Sequence, residues 1–109
     1  MSKKYMLVYT GGKMPEGEAE QKRVVKDWET WYNRAGKAVI DQGNPFTPMS
    51  KNISSDGRIS DGSADCLASG YSLIQADSLD AATAIAKGCP VLKDGARITV
   101  YETFKAPGM

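Results

Sequence analysis

The chain contains no histidine. Imidazole is the commonest acid–base group and metal ligand near neutral pH, so Ser-His-Asp and Cys-His catalytic sets are excluded, and proton transfer would fall to Asp, Tyr or Lys. Cysteine is scarce: Cys66 and Cys89 stand far apart, with no C-x-x-C pair. That spacing supplies no zinc set, and both are read as thiols. Charge of either sign is not in excess, because 14 Lys and Arg face 13 Asp and Glu for a net charge of +1, without a basic stripe. Nucleic acid and membrane surfaces, which recruit clustered cations, are therefore not expected partners. No apolar run approaches the roughly 20 residues needed to cross a bilayer. The apolar stretch 5–9 meets Thr10-Gly11-Gly12 too early for a signal peptide and reads as a strand, which points to a cytoplasmic protein. Walker loops and G-x-G-x-x-G fingerprints are also missing, and no cofactor or metal is expected.

What is present describes one globular domain over 1–109, with hydrophobic and charged shares of 41% and 25%. Alternation and turn residues predict a first strand over 4–10, with Tyr5, Leu7 and Tyr9 on one face and Met6 and Val8 on the other. Val24, Val25, Trp28, Trp31, Tyr32 and Ala35 recur at helical spacing, predicting a helix over 18–35 that is acidic at its start and basic at its end. A short strand over 37–42 follows and stops at Gly43-Asn44-Pro45. Asp56-Gly57 marks a hairpin with arms at 51–54 and 58–60. The next strand covers 69–76, and then Asp77 or Ser78 caps a helix with an apolar stripe of Leu79, Ala82, Ile85 and Ala86. Gly88 and Pro90 end that helix, and a last strand runs over 97–104.

The order β, α, β, hairpin, β, α, β is the split βαβ pattern of a ferredoxin-like α+β domain with an inserted β-hairpin: a four-stranded antiparallel core sheet with two helices on one face. The strands are apolar on both faces. The face without helices needs a cover, because exposed apolar area costs about 25 cal/mol per Å². A twofold homodimer joined through the sheet faces is therefore predicted.

Chemistry is sparse. The run Asp56-Gly57-Arg58-Ile59-Ser60-Asp61-Gly62-Ser63-Ala64-Asp65-Cys66 lacks the ligand spacing of a calcium loop and reads first as two Asp-Gly turns. Its functional reading puts Asp61 at a pocket rim. Trp28, Trp31 and Tyr32 read first as core and second as pocket lining, and Tyr71 has a hydroxyl in need of a partner. Cys89 follows a helix C-terminus, where the dipole disfavours a thiolate, so it reads as an inert thiol.

Tyr5-Met6-Leu7-Val8-Tyr9, Asp61-Gly62, Gly70-Tyr71-Ser72, the run from Ala76 through Ala82, and Cys89-Pro90 together resemble the YCII-related, or DGPF-domain, proteins over almost the whole chain. The resemblance implies a ferredoxin-like fold assembled as a dimeric α/β barrel. In enzyme-like members, a His on the first helix faces an Asp that precedes a proline after the second helix. Here Asp27 or Trp28 stands near the first place and Cys89 at the second, while Asp61-Gly62 is followed by Ser63-Ala64 in place of Pro-Phe. The expectation is a dimer that binds a small organic ligand between sheet and first helix, with Trp28, Tyr32, Asp61 and Tyr71 as pocket residues. The alternatives are an enzyme resembling muconolactone isomerase or small monooxygenases, with Asp61 or Asp41 moving a proton, and a structural or protein-interaction module.

Overall fold

The computed structural model describes residues 3–13, 15–47, 49–62 and 68–105. Strand β1 (Lys3–Gly11) buries Tyr5, Leu7 and Tyr9 and leaves Met6 and Val8 half-covered on the other side, as strict alternation requires. Helix α1 (Glu18–Ala35) has Glu18 and Glu20 in its first turn and Arg34 in its last, each opposite the helix-dipole charge it complements. Its buried side is narrower than the predicted stripe. Trp31 is buried but Val25 is 57% exposed, because the two lie about 120° apart around the helix and the sheet lies on the Trp31 side.

A short 3-10 turn (Gly36–Ala38) takes up residues assigned to the second strand, so β2 is only Val39–Asp41. Its register with the neighbouring strand slips between Val39 and Asp41, which turns Ile40 outward. Strands β3 (Lys51–Ile53) and β4 (Ile59–Asp61) form the hairpin as a separate two-stranded sheet, with Ile53 and Ile59 paired and in solvent. Strand β5 (Ala68–Ala76) leads to helix α2 (Leu79–Ala86), where the Ser78 hydroxyl accepts a hydrogen bond from the Ala81 amide as N-cap. Ala82 and Ala86 are buried. Leu79, expected in the same stripe, points to the same side as Ala86 but is 48% exposed at the first position of the helix. A 3-10 segment (Pro90–Asp94) precedes β6 (Ala96–Glu102). That strand ends before the predicted 104: the Thr103 amide still donates to the Lys4 carbonyl, but Phe104 is exposed beyond the strand's end at Glu102.

The main sheet is antiparallel, in the order β2-β5-β1-β6, and is open, with β2 and β6 at its edges. One core sits on one face, built from Tyr5, Leu7, Tyr9 and Ile74 of the sheet with Trp31, Ala82 and Ala86 of the helices. The shortest principal extent, 19 Å, has room for one helix layer on one sheet. On the opposite face Met6 pairs with Leu73 and Tyr101, and Val8 with Tyr71 and Thr99, while Lys4, Gln75, Thr10 and Arg97 lie toward the strand ends. That face is therefore apolar in its middle and polar at its margin. No helix among the described residues is long and apolar enough to cross a membrane. Cys66 and the Ser63-Ala64 pair lie outside the described residues.

Candidate functional site

A cavity of about 650 Å³ opens between α1 and the end of the sheet where β1 leaves and β5 enters. Its helix wall is Val24, Trp28 and Tyr32, members of the α1 stripe spaced four apart that flank the packed Trp31. Tyr9 of β1 contributes to the wall beneath, with its ring 6.0 Å from that of Trp28 in an edge-on arrangement.

Residues 42–47 form the side wall, and their course follows from local sequence. The Asp41 carboxylate accepts from the Gly43 amide at 2.9 Å, turning the chain out of β2. Gly43 has φ 73, and a Cβ there would lie 1.7 Å from the Tyr71 carbonyl oxygen, so only glycine lets this segment lie on β5. Pro45 then bridges to Gly70, and the Phe46 amide donates to the Ser69 carbonyl at 2.8 Å. The Phe46 ring stacks on Tyr71 at 5.8 Å. Tyr71 shares register with Val8 on the open face, so this aromatic pair borders the cavity from the sheet margin.

Against this wall lies a buried polar chain. The Tyr9 hydroxyl donates to the Ser72 hydroxyl at 2.6 Å, Ser72 donates to the Gln42 carbonyl at 2.7 Å, and the Cys89 thiol lies 3.6 Å from the Tyr9 oxygen. Burial pushes the Tyr9 phenol well above its ordinary range, and the neighbouring Cys89 adds to the shift. Burial also raises the Cys89 thiol and the Tyr32 phenol. All three are neutral at physiological pH, so the chain is structural and holds no activated nucleophile.

Acids with raised folded-state values stay neutral in the native protein while the unfolded chain ionises. Their contribution is complete below the ordinary values, 9.0 for Cys89 and 10.0 for Tyr9, and is lost as pH rises from there toward the folded values. The melting temperature is expected to fall steadily across this alkaline range, and less steeply for Cys89→Ala. Equal slopes for the two proteins would refute the assignment to the thiol.

Charged groups set the mouth. Arg23 of α1 pairs with Asp27 at 2.9 Å and with Asp94 at 3.2 Å, and Lys93 reaches Asp27 at 3.6 Å. Such partly exposed pairs contribute little energy, but together they join α1 to the 3-10 segment that closes one side of the cavity. The Lys13 amide donates to the Asp94 carbonyl at 3.0 Å, which brings Lys13 to the same mouth.

Of the residues singled out from sequence, Trp28, Tyr32 and Tyr71 line one cavity. Asp61 does not: it sits on the hairpin, paired with Lys51, with its side chain 85% exposed. Asp41 serves the Gly43 turn and borders a shallow depression beside Ile40 instead. Of the two helix residues the resemblance left open, Trp28 faces the cavity and Asp27 turns to Arg23 and Lys93. Cys89 lies against Tyr9 in the core. Tyr9, Lys13 and Phe46 were missed. Tyr9 was visible only as an alternating strand residue, and the prolines at 45 and 48 were the sole signal that Phe46 sits on an extended edge segment. Among the described residues no group of three or more His, Cys, Asp or Glu could hold a metal ion. No protein-family model matches the chain, and no curated protein matches it significantly.

Proposed function

We propose that this domain binds a small, mainly apolar organic molecule in the cavity beneath α1, as one half of a twofold homodimer of ferredoxin-like, YCII-related domains. The observation that carries the binding reading is the cavity itself. Its volume of about 650 Å³ falls among small-molecule sites, and Val24, Trp28 and Tyr32 give it an apolar aromatic wall facing a smaller set of polar groups. The strand order β2-β5-β1-β6, with both helices packed on one face, supports the ferredoxin-like assignment. The dimer reading draws on the open face, whose middle presents Met6, Val8, Leu73 and Tyr101 to solvent. Proton transfer by Asp61 or Asp41 has no comparable support, since neither borders the cavity.

A thermal-shift screen of small metabolites tests the binding reading, because a ligand of the native state raises the melting temperature by mass action. At least one compound is expected to stabilise the wild-type protein and to lose that effect in Trp28→Ala. A screen in which nothing stabilises the wild type, or in which every hit stabilises both proteins alike, removes it. For the assembly, sedimentation equilibrium should give twice the 11.8 kDa chain mass, and Leu73→Arg should return the single-chain mass. A wild-type monomer at micromolar concentration defeats the dimer.

A further inference from the structure

The charges around the cavity are unequal in a way that bears on what enters it. Among the described residues two charged ones line it, Lys13 and Asp94. The Asp94 carboxylate is paired at 3.2 Å with the Arg23 guanidinium, which it shares with Asp27 and Glu20, and its side chain is only 17% exposed. Lys13, by contrast, makes no ion pair among the described residues, while its amide donates to the Asp94 carbonyl and fixes the backbone at the mouth. The rest of the lining joins the apolar Val24, Trp28 and Val91 and the Tyr32 ring to uncharged polar groups on the 42–47 wall, and the Tyr9 hydroxyl is committed to Ser72 and Cys89. A negative group buried against the apolar helix wall would pay a desolvation penalty, whereas one placed at Lys13 meets a cation that has no ion pair among the described residues.

We infer that the ligand is a small amphipathic monoanion, an apolar and preferably aromatic body carrying one carboxylate, held with its ring against Trp28 and Tyr32 and its carboxylate at Lys13. This rests on the binding reading above and adds the charge. The aromatic wall favours a ring, because edge-on and offset contacts with Trp28 add to simple burial. Lys13 contributes a salt-sensitive, mouth-exposed ion pair, while the apolar contacts are insensitive to salt.

The probes are 2-naphthoate and its neutral counterpart 2-naphthol, titrated calorimetrically near neutral pH into the wild type, Lys13→Ala, Lys13→Arg and Trp28→Ala. Naphthoate is expected to bind more tightly than naphthol by about fivefold, the effect of one partly exposed ion pair. Lys13→Ala should erase that difference without weakening naphthol, Lys13→Arg should restore it, and added salt should diminish it for the wild type alone. Trp28→Ala should weaken both probes. Lys13 is exposed, so its variants should fold as the wild type does, which their unchanged melting temperatures would verify. If naphthol binds as tightly as naphthoate, or Lys13→Ala leaves the difference intact, the charge inference is overturned while the cavity remains a ligand site. If neither probe binds and the metabolite screen is also empty, both readings fall together.

Discussion

Gly43→Ala is expected to be among the most damaging single-methyl additions in the chain, lowering the melting temperature by at least about 10 °C. Two costs combine at this position. An L-residue at φ 73 carries left-handed backbone strain of roughly 1–2 kcal/mol. The added Cβ would also sit 1.7 Å from the Tyr71 carbonyl oxygen, which belongs to the central part of β5 and cannot swing aside as a side chain would. Relieving that overlap means lifting residues 42–47 off the strand, a repacking cost of about 1–3 kcal/mol. For a domain of this size each kcal/mol corresponds to roughly 4–8 °C. Gly57→Ala is the matched control: φ is 90 but nothing lies within 4 Å of the new methyl, so only the backbone strain remains. Calorimetric melting of both variants decides the matter. Equal losses would mean that the close approach between residue 43 and β5 is absent, and with it the side wall of the cavity.

Trp31→Ala should be worse still, destabilising by about 3–5 kcal/mol, a large fraction of the total stability of a small domain. The indole is 3% exposed and packs against Trp28 at 5.7 Å and Tyr32 at 5.4 Å. Its N–H donates to the Ile85 carbonyl at 3.0 Å, and its ring edge lies where a Cβ on Gly88 would be 3.3 Å away. One side chain therefore joins α1, the end of α2 and the aromatic cluster. Trp28→Ala removes a ring that is only half-buried and faces the cavity, so it should cost less stability and more ligand affinity. Urea titrations of the two variants, read alongside ligand titrations of Trp28→Ala, should therefore diverge: loss of fold for Trp31, loss of binding for Trp28. The reverse pattern would exchange the roles assigned to the two tryptophans.

That exchange of roles illustrates how far sequence reasoning reaches here. Trp28, Trp31 and Tyr32 share one helical stripe, and periodicity treats them alike. Only the position of the sheet beneath α1 makes Trp31 core and the other two cavity wall. Asp61 was drawn toward function by the density of polar residues around it, yet turn chemistry accounts for that density and its carboxylate meets Lys51 on an exposed hairpin. Lys13 and Asp94 are distant in sequence, and nothing in either neighbourhood announces that a backbone hydrogen bond brings them to one mouth.

The sequence by itself determined the succession of strands and α-helices, the bounds of α1, the turns at Gly43 and Gly57, a cap at Asp77 or Ser78 and the apolar character of both sheet faces. These depend on interactions between residues a few positions apart, and alternation, helical spacing and positive-φ requirements record such interactions directly. The tertiary structure alone decided which side of each helical stripe is buried, that residues 42–47 run along β5, that Tyr9, Ser72 and Cys89 share one hydrogen-bonded cluster, and that a cavity remains between α1 and the strand ends. Those features arise from how separate elements come to rest against one another, and no local pattern of residue types encodes the distance left between them.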